Sequence, residues 1–190
     1  EMSDMYYLVA SMQKRVLDLG HEDIDDFYNW FDIFQMFVQW YFQIEEKLLL
    51  PWVEGATYLG GMLEESARTE LKAKLISRLK DIDDCQDRFS HLPAGEVLPA
   101  LIVALDKFSP GLLEYFNEEE KSLAAEISNT YTQKDKELLD ARVFDFIRNS
   151  EDHHIVMHLL LRPIKDSETK TELRKKYLAN GNFLQKLRFK

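Results

Sequence analysis

Apolar residues recur along this chain at three- and four-residue spacing, the period of an amphipathic helix, and nowhere alternate long enough to suggest a strand. Met5, Leu8, Met12 and Val16 open the pattern and predict a first helix over about 3–19, with Gly20 as its stop. A second is predicted over about 24–53. Its seam is Phe27, Phe31, Phe34, Val38, Tyr41, Glu45, Leu48 and Trp52, and Pro51 is tolerable only near its end. Gly55, Gly60 and Gly61 mark a loop. A third helix over about 62–89 carries Leu71, Leu75, Leu79 and Ile82 on one stripe. After a connection at 91–95, a fourth runs to about 128 along Leu98, Leu101, Leu105, Phe108, Leu112, Tyr115 and Glu119. Within it, Ser109-Pro110-Gly111 predicts a kink, or a restart with Ser109 as cap and Pro110 in the first helical position.

Three shorter helices follow, over 132–148 with Thr132 as cap and Asp135 three residues on, over 154–161 stopped by Pro163, and over 167–179 with Ser167 as cap. Four long amphipathic helices joined by short connections are the pattern of an all-α, up-down-up-down four-helix bundle. The expectation is a single domain over 1–190, with the bundle in 1–128 and a C-terminal helical extension in 129–190.

Both long seams break at an acid. Glu45 and Glu119 fall where hydrocarbon is expected, and each has a tyrosine one helical turn before it, Tyr41 and Tyr115. A buried acid is costly unless it is hydrogen-bonded, paired or bound to a metal, so these positions are the first candidates for function.

The two motifs also repeat one another. Tyr41-x-x-x-Glu45-Glu46 continues to Lys47-Leu48-Leu49-Leu50-Pro51, and Tyr115-x-x-x-Glu119-Glu120 continues to Lys121-Ser122-Leu123, with Ala125 at the place of Pro51. This resembles the hemerythrin-like, or HHE cation-binding, family, in which each of two helix pairs supplies a lone histidine and then a His-x-x-x-Glu motif. Arg68-Thr69-Glu70-Leu71 looks like the third-helix motif with leucine in the histidine place. The resemblance covers about 3–128 and implies a bundle that holds two bridged irons between carboxylates and imidazoles. Here the histidine places hold Tyr6 or Tyr7, Tyr41, Leu71 and Tyr115. Leucine has no donor atom, and a phenol ligates only when a metal helps it ionise. The expectation is therefore a metal-free relict site of Tyr41, Glu45, Leu71, Tyr115 and Glu119, in which phenols hydrogen-bond the acids and no cofactor is held. Iron held by the glutamates and tyrosines is the alternative.

Composition narrows the rest. Hydrophobic content of 45% and charged content of 31% over 190 residues suit one soluble globular core. A formal net charge of −10 disfavours nucleic acid and anionic membrane as partners, apart from a basic end at Lys170–Lys190. No apolar run reaches membrane-spanning length, so no transmembrane segment is expected. The lone Cys85 lies among Asp81, Asp83 and Asp84, which should raise its pKa, and a structural role is expected. With no disulfide framework nothing argues for secretion, and a cytoplasmic location is expected, although the chain opens at Glu1 and looks like a processed or excised domain.

Two further groups stand out. His154 and His158 have the spacing that puts two imidazoles on one helix face, a surface metal site on one reading and partly packed side chains on the other. The dense run from Phe27 to Phe42 leaves Trp30, Phe37 and Trp40 for a second face. That face either meets the C-terminal helices or forms a strip for another protein, a small apolar ligand or a second copy in a dimer. No phosphate loop, nucleophile elbow or hydrolase triad is present. The expected role is non-catalytic binding or scaffolding; the alternatives are a carboxylate-bridged iron or oxygen protein and an acid–base enzyme built on the Tyr–Glu group.

Overall fold

The computed structural model describes residues 2–14, 20–54 and 65–179, and among them every regular element is helical. In chain order these are α1 (Met2–Lys14), α2 (His21–Ile44), a π-helical turn (Glu45–Leu49), α3 (Leu50–Glu54), α4 (Glu65–Phe89), α5 (Ala94–Thr130), α6 (Gln133–Arg148), α7 (His153–Leu161) and α8 (Ser167–Ala179). The predicted glycine loop at 55–61, the start of the third helix and the end of the first lie outside the described residues.

The chain divides into two compact units, Glu1–Gln35 with Gly60–Glu126, and Met36–Leu59 with Ile127–Lys190. Two of the three boundaries fall inside helices, in α2 and in the last turn of α5, and the third lies outside the described residues.

In the first unit the seams predicted from periodicity are the buried ones. Phe27, Phe31 and Phe34 of α2, Leu75, Leu79 and Ile82 of α4, and Leu98, Leu101, Leu105, Phe108 and Leu112 of α5 are all buried. Phe34 meets Phe108 edge-on with ring centres 6.0 Å apart, which ties α2 to α5. Tyr28 ties α2 to α4: its buried hydroxyl donates to the Ile82 carbonyl at 3.1 Å, and its ring stands edge-on to Phe89. Burial pushes this phenol well above its ordinary range, with Cys85 and Asp83 adding to the rise, so the tie is a neutral hydroxyl at any physiological pH.

The restart at Ser109-Pro110-Gly111 does not occur, because α5 runs through it as one 37-residue helix. Pro110 removes one backbone donor from the ladder and crowds the carbonyl a turn earlier. Arg78 of α4 crosses α5 here, and its Nη1 donates to the Lys107 carbonyl at 2.9 Å. Gly111 makes the crossing feasible, since a methyl group there would overlap the Arg78 guanidinium.

The second unit is built on a cluster of Phe144, Ile147, Val156, Met157, Leu161 and Tyr177 from α6, α7 and α8. The C-terminal half of α2 packs against it through Met36, Trp40 and Ile44. Helix α6 starts on the predicted capping box: Thr132 Oγ1 accepts from the Asp135 amide, and Asp135 Oδ2 accepts from the Thr132 amide at 2.9 Å. Helix α8 departs from expectation by one residue. Asp166 supplies the cap, accepting from the Thr169 amide at 2.7 Å, and Ser167 is the first helical residue. Tyr131 stacks on Trp52 at 3.8 Å, and its hydroxyl donates to the carbonyls of Trp52 and Val53 in the last turn of α3.

Candidate functional site

Glu45 opens the π turn and is 2% exposed, the most deeply buried acid among the described residues. The wide turn closes with the Leu50 amide on the Glu45 carbonyl, one residue further than an α-helix allows. Pro51 follows directly. It cannot donate to the Lys47 carbonyl and would press its ring on that group, so opening the ladder just before it removes the conflict. The seam prediction for this helix thus holds through Glu45, while a continuous α-helix over 24–53 does not.

Of the relict set, Tyr41 and Glu45 belong to the second unit, and Leu71, Tyr115 and Glu119 to the first. Tyr115 is buried, Tyr41, Leu71 and Glu119 are half-buried, and Glu119 Oε1 is shielded from solvent. Each of the two tyrosines and two glutamates takes part in a hydrogen bond, ring contact or electrostatic interaction. Of the first-helix candidates, Tyr7 is 76% exposed and so lies outside any core, and the Tyr6 side chain lies outside the described residues. Glu70, next to Leu71, is turned outward and salt-bridged to Lys74 at 2.7 Å; that hydrogen bond holds its carboxyl below the ordinary range. Two carboxylates, two phenols and a hydrocarbon do not fit the imidazole-rich iron centre that the resemblance implies. Among the described residues no three of His, Cys, Asp and Glu converge on a common point.

A second buried charge was not anticipated. Arg148, on the last turn of α6, is 6% exposed. Its Nη1 donates to the Tyr177 carbonyl of α8, its Nη2 pairs with Asp145, and the guanidinium lies 5.5 Å from the centre of the Tyr177 ring. Beside it a cleft of about 240 Å³ opens between α6 and α8. Its lining combines apolar Phe144, Ala141 and Ala179 with acidic Glu137 and Asp140 and basic Arg148 and Lys176. The sequence did hold a signal. Phe144 and Arg148 are four apart, so the arginine extends an apolar stripe just as Glu45 does in α2.

The structure departs from the partly packed reading of the histidines. His154 and His158 are exposed, and the buried imidazole is His153, whose Nδ1 lies 2.9 Å from the Ser150 carbonyl. That contact places the proton on Nδ1. Nε2 is buried and has no hydrogen-bond partner among the described residues. The aromatic trio is half-buried throughout. Trp30 lies parallel to Phe34 at 5.2 Å, and Trp40 stands edge-on to Phe146 of α6, also at 5.2 Å. The large apolar side chains that stand exposed are others, among them Ile76, Val103, Leu113 and Leu138. Cys85 is buried, and burial is the first cause of its raised thiol pKa, ahead of the aspartates.

No family model, curated protein or solved structure matches the chain. No helix among the described residues is long and apolar enough to cross a membrane.

Proposed function

We propose that this chain is a non-catalytic helical module of hemerythrin-like descent, a four-helix bundle with a C-terminal extension, that has lost its di-iron site and now works by binding. The observation that carries the reading is the pairing of a buried Glu45 with neighbours that are poor metal donors. A carboxylate 2% exposed in a π turn persists only where something satisfies it. Tyr41 one turn earlier supplies a phenol on the same helix face, whereas the family's pattern would supply an imidazole. The cleft between α6 and α8 gives such a module a place to hold a ligand with both charges and an apolar body, either a small molecule or a segment of a partner protein.

Metal analysis of the purified full chain tests this reading. The expected result is no stoichiometric iron, manganese or zinc, and no ferric–phenolate charge-transfer band. Stoichiometric iron with that band, lost in Glu45→Gln, would establish the carboxylate-bridged metal protein instead. A second arm uses the double variant Tyr41→Phe/Glu45→Leu. Replacing both polar partners by hydrocarbon should leave stability within about 1 kcal/mol of the parent or raise it, whereas Tyr41→Phe alone should cost about 1–3 kcal/mol.

A further inference from the structure

Helix α7 presents two faces. Val156, Met157, Leu159 and Leu161 are buried, and the stripe through Met157 and Leu161 belongs to the apolar cluster of its unit, which fixes the helix in place. His154 and His158 stand on the exposed face one turn apart. Side chains at this spacing have Cβ atoms about 6 Å apart and point the same way. Neither ring makes a hydrogen bond or ion pair among the described residues. His153, by contrast, is held out of reach, buried and engaged with Ser150.

From this we infer that His154 and His158 form a two-imidazole chelate for a borderline divalent cation of the Zn2+, Ni2+ or Cu2+ class, on the surface and independent of the core glutamates. Imidazole nitrogen suits these ions and not Mg2+ or Ca2+, which require oxygen. Two nitrogens from one rigid helix supply half of a tetrahedral shell. Water fills the remainder, because no third His, Cys, Asp or Glu converges there among the described residues. The remaining positions are therefore open to exchange, as in sites that present a metal to an outside ligand. The flanking charges set the strength. Glu151 and Asp152 precede the pair and favour a cation, whereas Arg162, one turn after His158, opposes it.

Calorimetric titration of the full chain with Zn2+, and separately with Ni2+ and Mg2+, decides the matter. The expected result is one equivalent of Zn2+ or Ni2+ bound, with no heat from Mg2+. Affinity should fall about tenfold or more in His154→Ala and in His158→Ala. Arg162→Gln should bind more tightly than the parent. Both histidines are exposed, so the variants should keep the parent's circular dichroism and melting temperature without metal. Absence of Zn2+ and Ni2+ binding overturns the inference. So does binding that persists in His154→Ala/His158→Ala, and loss of that persistent binding in Glu45→Gln would locate the ion in the core and contradict the proposed function as well.

Discussion

Gly111 and Arg78 share one volume, so each sets what the other is worth. Alanine is a better helix former than glycine by about 1 kcal/mol, so Gly111→Ala should stabilise α5 if nothing else changes. Here the new methyl displaces the guanidinium from the Lys107 carbonyl, and a hydrogen bond of about 1 kcal/mol is lost. The two effects should cancel in the parent. In an Arg78→Ala background the same change should stabilise by about 1 kcal/mol, giving a coupling of similar size in a urea-denaturation cycle. Strict additivity would show that the crossing is not energetically shared. This contact is not legible in the sequence of α5. Ser109-Pro110-Gly111 reads as a kink or restart because proline removes a donor from any helix, and the sequence of one helix does not show what another packs against it. Arg148 eluded the sequence reading for a related reason. Its partner is the backbone carbonyl of Tyr177, which no residue-type pattern reveals.

Among the elements, α6 and α8 carry a built-in sensitivity to acid. Hydrogen bonds from Thr132 hold the Asp135 carboxyl below its ordinary range, and hydrogen bonds from Thr169 do the same for Asp166. A carboxyl depressed in the fold contributes its full stabilisation above the unfolded carboxylate range, and loses it as pH falls through the lowered folded value. Helical signal from this end of the chain should thus erode as pH falls below the ordinary carboxylate range and through the lowered values of these two caps. The double variant Asp135→Asn/Asp166→Asn should show a flatter acid profile by circular dichroism, and an unchanged profile would rule the caps out as its cause. The α6 box was legible because Thr and Asp sit three apart before an apolar run. For α8 the sequence offers two adjacent candidates, Asp166 and Ser167, and backbone geometry chooses the first. The burial pattern of α2, α4 and α5 was legible for a simpler reason. Burial follows from the helical period, which survives the internal proline of α5 but not the π turn, past which Leu50 and Val53 are buried while the predicted Leu48 and Trp52 are half-buried.

At the scale of the whole molecule, two of the three boundaries between the units fall within α2 and the last turn of α5, so these two helices belong to both. Helix formation is cooperative along its length, and a unit that unfolds alone would have to break α2 mid-span and fray the last turn of α5. Denaturation should accordingly be a single transition. Tyr28→Phe in the first unit and Arg148→Met in the second should each shift that one midpoint, by about 1 and about 2 kcal/mol respectively. Two resolved transitions, each moved by one variant only, would show that the units melt independently. A division of this kind is invisible to hydrophobic patterning, because the stripe on α2 crosses residue 36 without any change of period.

The wide turn at Glu45–Leu49 has one more consequence, which concerns chain length. Omitting a residue elsewhere in α2 would swing every later side chain about 100° around the axis and turn the seam away from its partners. Between Glu45 and Leu49 the helix already carries one residue more than its hydrogen bonding needs. Shortening by one there would tighten the backbone into ordinary α-helix and leave Trp52 and Val53 facing as they do now, at the cost of crowding Pro51. The slack in this helix is thus stored next to its buried acid.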